Sequence, residues 1–312
     1  MPARPFRFGI QLGGAPSGRA WREAAVQAEA SGYDVLLMPD HFGDQLSPLP
    51  ALAAAATATT TLRVGTFVAG NDFRHPLSLA KEAASLDVLS DGRFELGLGA
   101  GWAAADYTET GIPFDRGGVR VDRVEEAIQV IRRAWLGEPF SFSGSHYEIK
   151  GYAGLPLPVQ KPHPPLMIAS GAPRLLGVAG READIVGLCP RPVSDGTGLL
   201  WTDVSGSALE EKVGWVREAA GDRFDALELN CNVFEVEITS DRPGTVERLA
   251  ARYGCDAAQL RDSPHVWIGS VEEIAEDLRA RRDRLGLSYY AILGDLELLH
   301  AGAPVVAALA GT

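Results

Sequence analysis

Eight runs of β-branched and apolar residues, each followed by a segment of helical pattern, constrain this chain more than anything else in it. The runs are Phe6–Leu12, Asp34–Met38, Arg63–Ala69, Arg93–Leu98, Leu166–Ser170, Asp184–Cys189, Ala226–Val236 and Ser288–Leu293. Helical patterns occupy Arg19–Ser31, Pro48–Thr60, Pro76–Leu89, Val119–Leu136, Arg174–Glu182, Ser207–Ala220, Thr245–Tyr253, Val271–Leu285 and Leu296–Leu309. Parallel strands need crossovers, and strand-helix alternation repeated eight times closes most simply on itself. The expected fold is therefore α/β, a (β/α)8 TIM barrel spanning residues 1–312 as one domain. Phe140–Ile149 alternates around Gly144, so a hairpin is expected after the fourth strand's helix. The irregular stretches Pro190–Ser205 and Gly254–Pro264 read as loops, the first on the C-terminal face.

Helix ends are marked by local chemistry. Ser270-Val271-Glu272-Glu273 has the form of a capping box, and Gly92 and Gly286 stand where a left-handed stop is needed. The formal charge of −12 disfavours nucleic acid and anionic membrane surfaces, which demand a basic patch. No apolar run is long enough to span a bilayer, and the first ten residues move into a strand without a signal-like core, so a cytoplasmic enzyme is expected. Cys189, Cys231 and Cys255 lack the spacing of a zinc or redox motif and read as small hydrophobes. His146, His163, His265 and His300 read as surface or loop residues.

In a barrel of this kind the chemistry gathers where strands end. Asp40-His41 closes the second run, and a histidine there can act as acid, base or donor near neutral pH. A metal set of Asp40, His41, Asp44 and His75 is weaker, because the first strand offers no ligand. Gly97-Leu98-Gly99-Ala100-Gly101-Trp102 is not a dinucleotide fingerprint: Trp102 replaces the third glycine and the stretch ends the fourth strand. Its glycines supply bare backbone, for a flat ligand or for tight packing. Ser170-Gly171-Ala172-Pro173-Arg174 turns from strand to helix and presents orphan N–H groups to an anion. Trp102, Tyr107 and Phe114 either line an apolar pocket or seal the barrel top. No nucleophile elbow, zinc-protease motif or P-loop occurs.

Taken with Ala84–Arg93 and the turn Phe73-Arg74-His75-Pro76, these stretches resemble the luciferase-like monooxygenase superfamily, in particular its bacterial branch that uses the deazaflavin coenzyme F420. The resemblance spans most of the chain. It implies a barrel with insertions on its C-terminal face, a cofactor ring across the mouth, and a bulge with a non-prolyl cis peptide at Phe67-Val68 supporting the ring. It assigns Asp40 to the cofactor's ring or tail, His41 to the reacting carbon, Gly99, Ala100 and Gly101 to the ring's flank, and Ser170, Gly171, Ala172 and Pro173 to the cofactor phosphate. Sugar-phosphate dehydrogenases of the superfamily carry a carboxylate where this chain has Trp102, which points to a flatter and more apolar substrate beside Trp102 and Tyr107.

The resulting expectation is an F420-dependent oxidoreductase acting on a small organic molecule, as a homodimer, with His41 moving a proton. An FMN-dependent monooxygenase using O2 is the alternative, because the two ring systems are alike in shape. From other classes, a non-catalytic flavin-binding barrel or a metal-dependent hydrolase could use the same fold.

Overall fold

The computed structural model describes residues 4–312. Eight parallel strands form the barrel: β1 (Arg7–Leu12), β2 (Val35–Met38), β3 (Arg63–Thr66), β4 (Phe94–Gly99), β5 (Leu166–Ser170), β6 (Ile185–Leu188), β7 (Glu228–Val233) and β8 (Leu287–Gly294). Each pairs with its neighbour in chain order. β1 pairs with β8, and Val64 and Gly65 of β3 pair with Phe94 and Glu95 of β4, so all eight strands close into a ring.

The main core fills the space between barrel and helices, where Phe8, Ile10, Leu36, Val64, Leu96 and Ile168 point outward. A second apolar cluster, including Val35, Leu37, Met167, Ile185 and Tyr289, fills the interior. Beneath it the N-terminal end is closed by charge. Glu95, 2% exposed, accepts from Arg7 and Arg63, and Arg7 also pairs with Glu228 at 2.6 Å. The Arg7 guanidinium lies 4.6 Å from the Tyr289 ring centroid.

Helices Pro76–Leu89, Val271–Leu285 and Leu296–Leu309 have the limits the sequence predicts. The physical reason is visible in their caps. The Ser270 and Glu273 capping box is formed, Gly286 is left-handed at φ 78°, and Asp295 accepts from the backbone of Glu297 and Leu298. The Ala84–Arg93 stretch has a structural role: buried Asp87 accepts from the backbone of Val159 and Gln160, pinning the Pro-rich segment that leads into β5.

Three expectations are revised. The third run stops at Thr66, not Ala69, because Phe67-Val68 interrupts it before Ala69–Gly70 pairs again with Leu98 and Gly99; the interruption and its cis Phe67-Val68 peptide are those the family resemblance implied. The seventh run divides at Phe234. Glu228–Val233 is buried on both faces and stays in the barrel, whereas Glu235–Ile238 alternates and pairs in parallel with Val266–Gly269 in a separate small sheet. Part of the stretch read as loop, Gly254–Pro264, is instead the helix Ala257–Arg261, which packs Leu260 against Leu249 and Val266. This annex between β7 and β8 is an insertion at the barrel's C-terminal face. The expected hairpin forms from Phe140–Ser143 and Glu148–Tyr152; its turn is held by Glu126, which accepts from the backbone of Ser145, His146 and Tyr147.

Candidate active site

At the C-terminal ends of the strands lies a cavity of about 560 Å³. Asp40, His41, Phe67, Val68, Gly99, Ala100, Gly101, Trp102, Ser170, Gly171 and Ala172 all line it. The four stretches singled out in sequence are thus brought to one rim, because each ends a parallel strand of the same ring.

His41 is oriented by a residue that the sequence did not reveal. Its Nδ1 lies 2.6 Å from Oδ2 of Asp106, whose other oxygen accepts the Phe42 N–H at 3.0 Å. A carboxylate only accepts, so Nδ1 carries the proton and Nε2 is left for a ligand. The Trp102 ring meets the imidazole edge-on, with centroids 5.7 Å apart. Asp106 sits in the first turn of Ala104–Thr110, a helix whose alanine-rich, unpatterned sequence gave no signal. Its replacement by Asn puts a donor-capable amide opposite Nδ1 and frees the tautomer. Asp106→Asn is expected to lower kcat at least about tenfold, equivalent to 1.4 kcal/mol, with thermal stability changed little; unchanged kcat would show that His41 needs no orienting partner.

Asp40 is 7% exposed and held by its own fold: Oδ2 accepts the Gly70 N–H at 3.0 Å, and both oxygens engage Arg74. The Phe67 carbonyl accepts from Gln11, so β1 anchors the interruption after β3.

The glycines at the end of β4 and just past it serve packing. A Cβ on Gly97 would stand 2.0 Å from the Thr66 carbonyl oxygen, one on Gly99 2.5 Å from Val68 Cγ2, and one on Gly101 1.9 Å from the Tyr107 hydroxyl. Gly101 is also left-handed, at φ 74°. Bare backbone therefore lets the Phe67-Val68 segment and Tyr107 close against this strand end, and Ala100 still faces the cavity.

Two helices begin at the cavity without a side-chain cap. Gly117–Leu136 presents Gly117 and Gly118, and Pro173–Glu182 follows Ala172. Arg174 ties them together, donating to the Gly118 carbonyl at 3.0 Å and pairing with Asp122. Uncapped N–H groups and two positive dipole ends on one wall are suited to an anion. Pro173 starts its helix but does not line the cavity.

A profile of the luciferase-like monooxygenase family matches residues 4–196, more than half of the chain. The chain belongs to this family. Among curated proteins it is 32% identical, over 58% of its length and 55% of theirs, to an F420-dependent glucose-6-phosphate dehydrogenase of Microbacterium testaceum, so the chain spans about half of that relative. A protein of the same description from Tsukamurella paurometabola is 31% identical, across 82% of this chain and 76% of its own. Among solved structures, the coenzyme F420-dependent tetrahydromethanopterin reductase of Methanopyrus kandleri superposes with a TM-score of 0.79 over 98% of this chain and 99% of that one. Its identity is 18%, so that likeness establishes the fold.

Within this family fold, several residues stand elsewhere than expected. Tyr107 does not reach the cavity: it is 1% exposed, its hydroxyl donates to Asp72 at 3.1 Å, and burial beside that carboxylate raises its pKa. Aromatic character alone could not distinguish a lining ring from a sealing one. His265 lies in a loop as expected, but wholly buried: Nδ1 donates to the Asn232 carbonyl at 2.8 Å, and burial holds the imidazole neutral, down to about 3. Cys189 lines the cavity from the end of β6, with burial pushing its thiol up to about 12, so it is no thiolate nucleophile. The loop expected at Pro190–Ser205 does border the cavity, through Pro190, Pro192 and Leu199. Buried Asp203 anchors it, accepting the Arg191 N–H at 2.7 Å and pairing with buried Lys212 at 2.7 Å. Among the described residues no cluster of three metal-ligating side chains occurs, and no helix is long and apolar enough to cross a membrane.

Proposed function

We propose that this protein is an F420-dependent oxidoreductase that transfers a hydride between the deazaflavin and a small organic molecule, with His41 as the proton donor or acceptor. The observation that carries this is the pairing, in one cavity, of a histidine with a free Nε2 and two uncapped helix N-termini. The relatives described as F420-dependent dehydrogenases support the choice of cofactor.

The residues present fit such a group. Ser170, Gly171, Ala172 and the helix beginning at Pro173 would hold its phosphate, with Gly117 and Gly118 opposite. Phe67 and Val68 would support one face of the ring, Gly99, Ala100 and Gly101 would flank it, and Asp40 would reach its polar edge while fixed by Arg74. When bound, coenzyme F420 supplies a two-electron hydride donor or acceptor. Everything else is done by the chain: Asp106 fixes the His41 tautomer, Nε2 gives or takes the proton at substrate oxygen, and Trp102 with the 190–205 loop excludes water.

Titration of the cofactor-free protein with F420 and with FMN tests the assignment. Micromolar binding of F420 with at least about a tenfold preference over FMN is expected, the difference a 1.4 kcal/mol advantage produces. Tight FMN binding with oxygen consumption would instead establish a monooxygenase. The enzyme is proposed to work in the cytoplasm as a homodimer, which its unpaired cysteines and the superfamily resemblance support; a mass of one chain by light scattering would refute the dimer.

A further inference from the structure

The relatives named for glucose 6-phosphate invite the transfer of that substrate to this chain, and the cavity opposes it. Only two of its lining residues, Arg120 and Arg174, carry a permanent positive charge. Both are already engaged. Arg120 donates to the Ala100 carbonyl at 3.1 Å and to the carbonyls of Asp115 and Gly101, and its guanidinium lies 4.1 Å from the Phe114 ring centroid. Arg174 is paired with Asp122 and bonded to Gly118. The remaining ionisable groups on the wall, Asp40, Asp106, His41 and the neutral thiol of Cys189, add no fixed cation. Lys212, near this wall, is consumed by Asp203. The two helix N-termini on the wall would be taken by the cofactor's own phosphate. A second phosphate dianion would be buried without compensation.

One lining group, in contrast, lacks a partner that a neutral molecule could supply. Asn232, at the end of β7, is 4% exposed, and its carboxamide makes no hydrogen bond among the described residues, with Oδ1 sealed from water. Its backbone is held in place by β8, through Ala291, and by the His265 imidazole. Buried amides are rarely left unpaired, and with Oδ1 sealed it is the Nδ2–H that stands open to donate to a molecule in the cavity. The rest of the wall nearby, Phe67, Leu293, Phe234 and Leu199, is apolar.

We propose that the cavity takes an uncharged alcohol or carbonyl compound with an apolar body, whose oxygen accepts a hydrogen bond from the Asn232 Nδ2–H. This substrate class rests on the F420 assignment above, yet it is measurable apart from it.

Isothermal titration of the protein, without cofactor and again after loading with F420, with cyclohexanol, cyclohexanone and glucose 6-phosphate tests it. Binding of the two neutral compounds is expected, with glucose 6-phosphate at least about a hundredfold weaker. Asn232→Leu, similar in volume, is expected to weaken neutral binding about tenfold and leave F420 affinity unchanged; Asn232→Ser serves the same comparison should the leucine variant not fold. Glucose 6-phosphate binding within tenfold of cyclohexanol, no binding of either neutral compound, or neutral binding untouched by the Asn232 variants would each overturn the inference. Failure of F420 to bind would sink the cofactor assignment and leave the cofactor-free titrations to decide this one.

Discussion

Replacement of His41 by alanine is expected to reduce kcat by about 10²- to 10⁴-fold, the range ordinarily contributed by a positioned acid or base. Three features make this the most sensitive position in the cavity. The imidazole ends β2 at the rim, its Nδ1 is held at 2.6 Å by a carboxylate that is itself buried, and its Nε2 is the ring nitrogen left open to a ligand. Among the described residues no other histidine lines the cavity. Because His41 is half-buried and lies outside the apolar core, His41→Ala should leave the thermal transition nearly unchanged and F420 affinity within a few-fold of its original value. Steady-state kinetics beside a cofactor titration would separate these quantities. A loss confined to KM would assign His41 to binding, and a kcat retained within a factor of three would remove it from proton transfer altogether.

Loss of the Glu95 carboxylate is expected to destabilise the barrel by about 3 kcal/mol, the lower end of what breaking a buried ion pair costs, because Arg7 and Arg63 keep about a quarter of their side chains in solvent. Burial pushes the Glu95 pKa upward, but the two guanidinium groups overcome it and hold the carboxyl below its usual range. Glu228, the other carboxylate on Arg7, is raised by its burial, with the Glu95 charge adding to that effect. Glu95 is therefore the anion on which the two arginines depend. In Glu95→Gln Arg63 loses its carboxylate partner and Arg7 keeps only Glu228. Urea unfolding near neutral pH should give the difference, and a loss under 1 kcal/mol would show that the network merely fills space. The sign with pH follows from the depressed folded-state pKa. The contribution is complete above the unfolded value near 4.5 and vanishes as pH falls through the folded one, so the gap between native protein and variant should narrow only in acid.

Much of the site was legible because strand ends in a parallel barrel share one rim. Asp40-His41, the glycine run that ends β4 and the Ser170 turn could be recognised without knowing any distance, since each is a polar or small-residue break at the end of a buried strand. Asn232 had a weaker signal that can be recognised in retrospect: Glu228, Asn230 and Asn232 repeat at a spacing of two within an otherwise apolar strand, which directs polar groups into the barrel. Asp106 had none. It lies 65 residues from His41, on a helix too short for a hydrophobic period, and their contact exists only because the loop after β4 folds back over the end of β2.

Sequence by itself determined the ring of eight strands, the helices between them and the residues at the strand ends, since these follow from apolar periodicity, proline and glycine placement and capping, all local in the chain. Only the tertiary structure decided which of those residues face the cavity and which are consumed inside the protein. Whether Gly97 admits a ligand or the Thr66 carbonyl, whether Tyr107 lines or seals, and whether Arg174 is free or bound to Asp122 depend on groups tens of residues away. Close packing and charge pairing set those choices, and both are properties of the closed barrel, not of any segment.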